Sequence, residues 1–126
     1  MSIRRIPSGG EFEEKIGYCR AVVAGGFVHV AGCTGTDRIT GQVSPDVTIQ
    51  CRQCLDIIED VLKKAGSSFA QVVRVTYMLP DAADFEACWP ILQATFGANP
   101  PAATMIECGL IDPKYRIEIE VTALAG

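Results

Sequence analysis

The sequence predicts an α+β sandwich, one sheet with two helices packed on one face. Three segments carry that expectation: an amphipathic run over 47–65, a β-branched run over 72–79 and an alternating strand over 116–124. A chain of 126 residues reads as one domain over 1–126, long enough to bury roughly two thirds of its unfolded surface.

The first strands are Ala21–Ala24 and Phe27–Gly32, joined at Gly25-Gly26, a hairpin turn signal. Residues 33–44 read as a loop, with Gly35, Asp37, Thr40 and Gly41 as turn residues. The main helix follows. Val47, Cys51, Cys54, Leu55, Ile58, Val61, Leu62 and Ala65 fall on one apolar face. Ser44-Pro45 is the expected cap and Gly66 the expected stop. Glu59 with Lys63 and Asp60 with Lys64 make i,i+4 pairs on the wet face.

Val72–Leu79 is β-branched and aromatic, hence a strand. A second helix is expected from Asp81 or Asp84 onward, with Phe85, Cys88, Trp89, Leu92 and Phe96 at helical spacing. Pro90 makes that helix start late or kink. Thr104–Cys108 and Arg116–Leu124 complete the order β-β-α-β-α-β-β.

Composition narrows the function. The net charge is -4 and the basic residues do not cluster, which argues against a nucleic-acid partner. No apolar run approaches the ~20 residues of a membrane span, and the N-terminal stretch is no signal peptide, so the chain reads as cytoplasmic. The cytosol keeps thiols reduced, so the six cysteines are expected to be free. Cys51-x-x-Cys54 is half a zinc motif without a second half, and both cysteines fall on the helix's core face. No metal site and no cofactor is expected.

The last strand bears on chemistry. Ile117, Ile119 and Val121 point one way, and Arg116, Glu118, Glu120 and Thr122 the other. The polar face is a wet sheet surface, a subunit interface or a ligand pocket. His29 has no nucleophile beside it, and Gly32-Cys33-Thr34-Gly35 lacks the Gly-Lys of a phosphate loop. No self-contained catalytic set is visible.

Taken together, Gly17-Tyr18, Val30-Ala-Gly-Cys33, Ala65-Gly-Ser-Ser68, Val72-Val-Arg-Val-Thr76, Asp84-Phe85, Pro101-Ala-Ala-Thr104 and Ile117-Glu-Ile-Glu120 resemble the Rid family, also called YjgF-like or endoribonuclease L-PSP-type proteins. The resemblance implies a chorismate-mutase-like fold and a homotrimer with a central barrel and intersubunit clefts. The implied activity is cofactor-free hydrolysis of enamines and imines to keto acids and ammonia. It also implies roles: Tyr18 to orient substrate or water, Glu120 to position water or act as general acid/base, and Thr104 with the backbone at Gly32 and Ala103 to donate hydrogen bonds.

The sequence departs from the family where the substrate carboxylate is bound. The family arginine falls at Ala103, its cysteine neighbour at Met105, a helix asparagine at Trp89 and a strand-end glutamine at Cys33. Arg20 and Arg116 are the candidate replacement cations. Cys33, following Gly32 at a strand end, is read as lining the cleft edge, either as a passive wall or as a reactive thiol. The alternative to an enzyme is a binding or regulatory module that uses the same cleft. An endoribonuclease role is a third reading, opposed by the acidic charge.

Overall fold

The computed structural model describes residues 2–126. In chain order it contains β1 (Arg4–Ile6), α1 (Glu11–Ile16), β2 (Ala21–Ala24), β3 (Phe27–Thr34), α2 (Val47–Lys64), β4 (Val72–Leu79), α3 (Trp89–Phe96), β5 (Ala102–Glu107) and β6 (Glu118–Leu124). Short 3-10 turns lie at Phe69–Gln71, Ala82–Asp84 and Glu86–Cys88. The strands form one mixed sheet in the order β1-β2-β3-β6-β4-β5. Only β4 and β5 run parallel; every other pairing is antiparallel.

The last strand in sequence therefore lies inside the sheet, between β3 and β4. Ile117, Ile119, Val121 and Ala123 are buried beneath α2. The helix meets them with Val47, Cys51, Cys54, Leu55, Ile58, Val61 and Leu62, the face its periodicity assigns. Cys51 and Cys54 thus sit in the core.

The helix starts at Val47 as its periodicity suggests, but its cap is not the expected Ser44. Asp46 is its cap, accepting from the Thr48 amide at 2.8 Å, while Ser44 Oγ only turns the chain by accepting from the Asp46 amide at 3.1 Å. A carboxylate two residues closer displaces the serine. Gly66, at φ +77°, ends the helix as expected, with the Ser67 amide donating back to the Leu62 carbonyl at 2.8 Å.

Two elements precede the predicted order. β1 and α1 span three and six residues, too short to show a period. What holds them is polar: Arg4 donates to the Lys64 carbonyl at 2.6 Å, and the buried Glu13 carboxylate accepts from the Ser8 hydroxyl and from the Ser8 and Gly10 amides. The second helix does start late. Two 3-10 turns carry 82–88, and α3 begins with Pro90 in its first turn, where a missing N–H costs nothing. β5 begins two residues earlier than expected, at Ala102, and β6 two residues later, at Glu118. Among the described residues, no helix is long and apolar enough to cross a membrane.

The delay in β6 has an identifiable cause in Gln50, which is fully buried on α2. Its Nε2 donates to the carbonyls of Ser44 (2.7 Å) and Lys114 (2.9 Å), and its Oε1 accepts from the Arg116 amide at 2.8 Å. The backbone at 116 therefore bonds to this side chain and joins the ladder only afterwards. Gly35 lies against Gln50 so closely that a Cβ there would overlap its side chain. Gln50→Ala would strand buried backbone groups at both loops, and unfolding in urea should show a loss of about 3 kcal/mol. Gln53→Ala, on the half-buried side of the same helix, should stay within about 0.5 kcal/mol.

Candidate functional site

A bulge in β3 shapes the site. Val30 pairs with Val121 and Cys33 with Ile119, so three steps on β3 match two on β6. Simple alternation from Val28 and Val30 would turn Cys33 to the open face. The extra residue returns it to the core, where it is 1% exposed. Its thiol donates to the Ala31 carbonyl at 3.3 Å, and its own carbonyl accepts from Cys54 Sγ at 3.1 Å. Burial pushes the Cys33 thiol up to about 11, against the pull of Arg20. The expectation that Cys33 lines a cleft edge is therefore corrected.

Gly32 stays on the open face. Glu118, on the facing strand, lays its carboxylate over Gly32 where any side chain would collide with it. Arg20 Nη1 donates to the Gly32 carbonyl at 2.9 Å, and the Arg20 carbonyl accepts from the Ala31 amide at 2.9 Å. The Tyr18 ring, partly exposed, lies 5.8 Å from the Arg20 guanidinium carbon. Arg20 Nε is buried and has no partner. Tyr18, Arg20, Gly32 and Glu118 thus form one cluster. Burial pushes the Glu118 carboxyl above its ordinary range, Glu120 adds to the shift, and Arg20 opposes it.

Glu120 lies elsewhere on the same open face. It pairs with Thr76 and is exposed, sharing a shallow depression with His29, Arg74 and Thr122. Thr104 is near it, on β5 beside Thr76, and takes a hydrogen bond from Arg74. Of the two glutamates, Glu118 is the one laid over Gly32, with Arg20, which faces the Tyr18 ring, acting on its charge. Sequence spacing put both on one face and could not choose between them.

Trp89, Ala103 and Met105 converge on the other side of the sheet. Ala103 and Met105 pair with the buried Val75 and Tyr77 and face α3. With Trp89, Phe85, Phe96 and Pro101 they line a groove of about 350 Å³. Phe85 stacks against Tyr77 (centroids 5.2 Å) and meets Trp89 edge-on at 6.4 Å. This groove borders β5, an edge strand with Met105 56% exposed. From β3, which carries Gly32, to β5 is three strand spacings, about 14 Å. Within one chain, a small molecule cannot touch both groups.

The two candidate cations now separate. Arg116 is committed to structure, bonding Asp84 at 2.8 Å and the Pro45 carbonyl at 2.7 Å. Arg20 is the cation in the Glu118 cluster.

The chain is thus an α+β domain, an edge-open mixed sheet under a helical layer, with an acid–arginine cluster on the open face and an aromatic groove at the edge. The chain belongs to the endoribonuclease L-PSP family, the Rid or YjgF-like proteins, whose pattern it matches over residues 11–125. It is 34% identical over 126 residues to a human 2-iminobutanoate/2-iminopropanoate deaminase, covering 98% of this chain and 92% of that protein. A RutC family protein from Pyrococcus horikoshii is 36% identical over 107 residues, 84% of this chain and 85% of that one. The crystal structure of a YjgF/YER057c/UK114 family member from Mycobacterium tuberculosis superposes with a TM-score of 0.89 at 35% identity, covering 98% of this chain and all of that one. The fold is the chorismate-mutase-like α+β fold expected.

Two predictions follow from burial. Alkylation timed by mass spectrometry should modify Cys19 and Cys108 first, the two half-buried thiols, and Cys33 with the slow core group. For Glu118, a raised folded-state carboxyl means that its stabilising contribution is present below the unfolded value and is lost as pH rises through the folded one. Glu118→Gln should therefore melt above wild type near neutral pH, and the two curves should converge at about pH 4.

Proposed function

We propose that the chain acts as a single-domain, cofactor-free imine hydrolase, assembled as a homotrimer whose sites lie between subunits. The observation that carries this reading is the half-buried Glu118 carboxylate, held over Gly32 beside Arg20 and Tyr18 on an open sheet face. The relationship to proteins named as imine deaminases supports the chemistry, and the separation of the two residue groups supports the assembly.

Glu118 takes a proton from water as the water oxygen bonds to the imine carbon, and passes that proton to the nitrogen, giving a neutral carbinolamine. The ionised Glu118 then takes the carbinolamine hydroxyl proton and delivers it to the nitrogen as the C–N bond breaks and the C=O bond forms, so that a carbonyl compound and ammonia leave and the carboxylate is restored. A carboxyl raised above its usual range suits both steps, because it is a stronger base when ionised and still a usable acid. Tyr18 orients the substrate or water at the mouth, and the Gly32 backbone gives the close approach that a side chain would block. In this reading Glu120, which the sequence favoured, supports Glu118 through its charge, and Thr104 belongs to its neighbourhood. Ala103 stands where the resemblance places an arginine, and no other cation lines that groove.

Ammonia release from small imines generated in place tests the assignment. Glu118→Gln should lower kcat by about 10² or more, and Glu120→Gln by less than about tenfold, with both variants keeping the wild-type mass by light scattering. The reverse order would return the role to Glu120. A specific ligand bound without turnover of any imine would favour the binding-module reading, which the absence of a cation from the groove also favours.

A further inference from the structure

We infer that the groove beside β5 selects substrates without a carboxylate, namely imines bearing an aromatic or branched aliphatic group, and holds the corresponding ketone or aldehyde as product. This rests on the hydrolase reading and names the substrate class of the same site.

The argument is one of charge and shape. The cavity over Pro80 carries Asp81, Asp84, Asp112 and Arg116, and the depression on the open face carries His29, Arg74 and Glu120. The groove at β5 carries no charged side chain. Its walls are Val75, Phe85, Trp89, Phe96, Ala103 and Met105; Gln93 supplies the side-chain amide, and burial pushes the Tyr77 phenol up so that it stays neutral. The charges that flank it along the chain, Glu86 next to Phe85 and Glu107 two residues beyond Met105, are acidic and exposed. A carboxylate entering here would shed water and meet no cation. A phenyl or branched alkyl group would meet the Trp89–Phe85 pair, whose edge-to-face packing leaves Trp89 53% exposed at the rim. A volume of about 350 Å³ suits a group of that size. Ala103 leaves open the floor that a long side chain would fill.

Trp89 is the single tryptophan, so its indole N–H gives one NMR signal that reports on the groove independently of turnover. Titrated into the assembled protein, acetophenone should shift that signal saturably, with a Kd at least about tenfold below that of 2-oxobutanoate. Ala103→Arg should reverse the order by introducing a carboxylate partner. If that variant fails to fold, Met105→Lys, on the same face, serves instead. Tighter or equal binding of 2-oxobutanoate to wild type would overturn the inference. So would an indole signal that responds to neither ligand and is protected from solvent, since a neighbouring copy would then fill the groove. Efficient turnover of 2-iminobutanoate would overturn this inference while leaving the hydrolase standing. The acetophenone preference without turnover of any imine would uphold the groove's selectivity and remove the hydrolase.

Discussion

The hydrogen bond from Arg20 to the Gly32 carbonyl organises the end of the sheet on which the proposed chemistry depends. It clamps a bulge in β3 from both sides, because the Arg20 carbonyl also receives the Ala31 amide. With the bulge in place, Cys33 turns into the core and Gly32 remains outside with no side chain, leaving room for Glu118. The same guanidinium sits beside the Tyr18 ring and acts on Glu118 electrostatically. Arginine suits this place because its planar fork can serve a carbonyl and face a ring together. One cation thus ties the entry of β2, the bulge and the half-buried acid into one unit.

Much of this fold was legible from periodicity. The face of α2, the Gly25-Gly26 hairpin and the alternation of β6 all follow from side-chain spacing, and each is long enough or carries enough turn chemistry for the pattern to show. β1 and α1 were missed because three and six residues carry no measurable period, and their anchors are hydrogen bonds from Ser8, Gly10 and Arg4. The start of β6 was misplaced because Gln50, 66 residues from Arg116 in sequence, takes that amide.

The site was legible in part, for a related reason. The alternation of the last strand put Glu118 and Glu120 on one face and the resemblance assigned the role to Glu120; weighing one against the other needs the packing of the neighbouring strand. Glu118 pairs with Thr34 and Met78 and its side chain reaches back over Gly32, whereas Glu120 pairs with Thr76. Cys33 was misread because a bulge inverts the alternation on which the reading relied. A glycine followed by a small residue inside a β-branched strand was the available signal. Trp89, Ala103 and Met105 share one groove, yet they lie across the sheet from Tyr18 and Gly32, and the proposed site needs a second chain to bring the two groups together.

Subunit complementation tests this division most directly. Glu118→Gln disables one half-site, and Ala103→Trp fills the other. Each variant alone should be inactive. Refolded together in equal amounts, they should recover roughly a quarter of the wild-type activity, because a head-to-tail ring gives each interface that chance of pairing two intact halves. No recovery from mixed trimers of confirmed composition would contradict the account, placing Glu118 and the groove in separate functions.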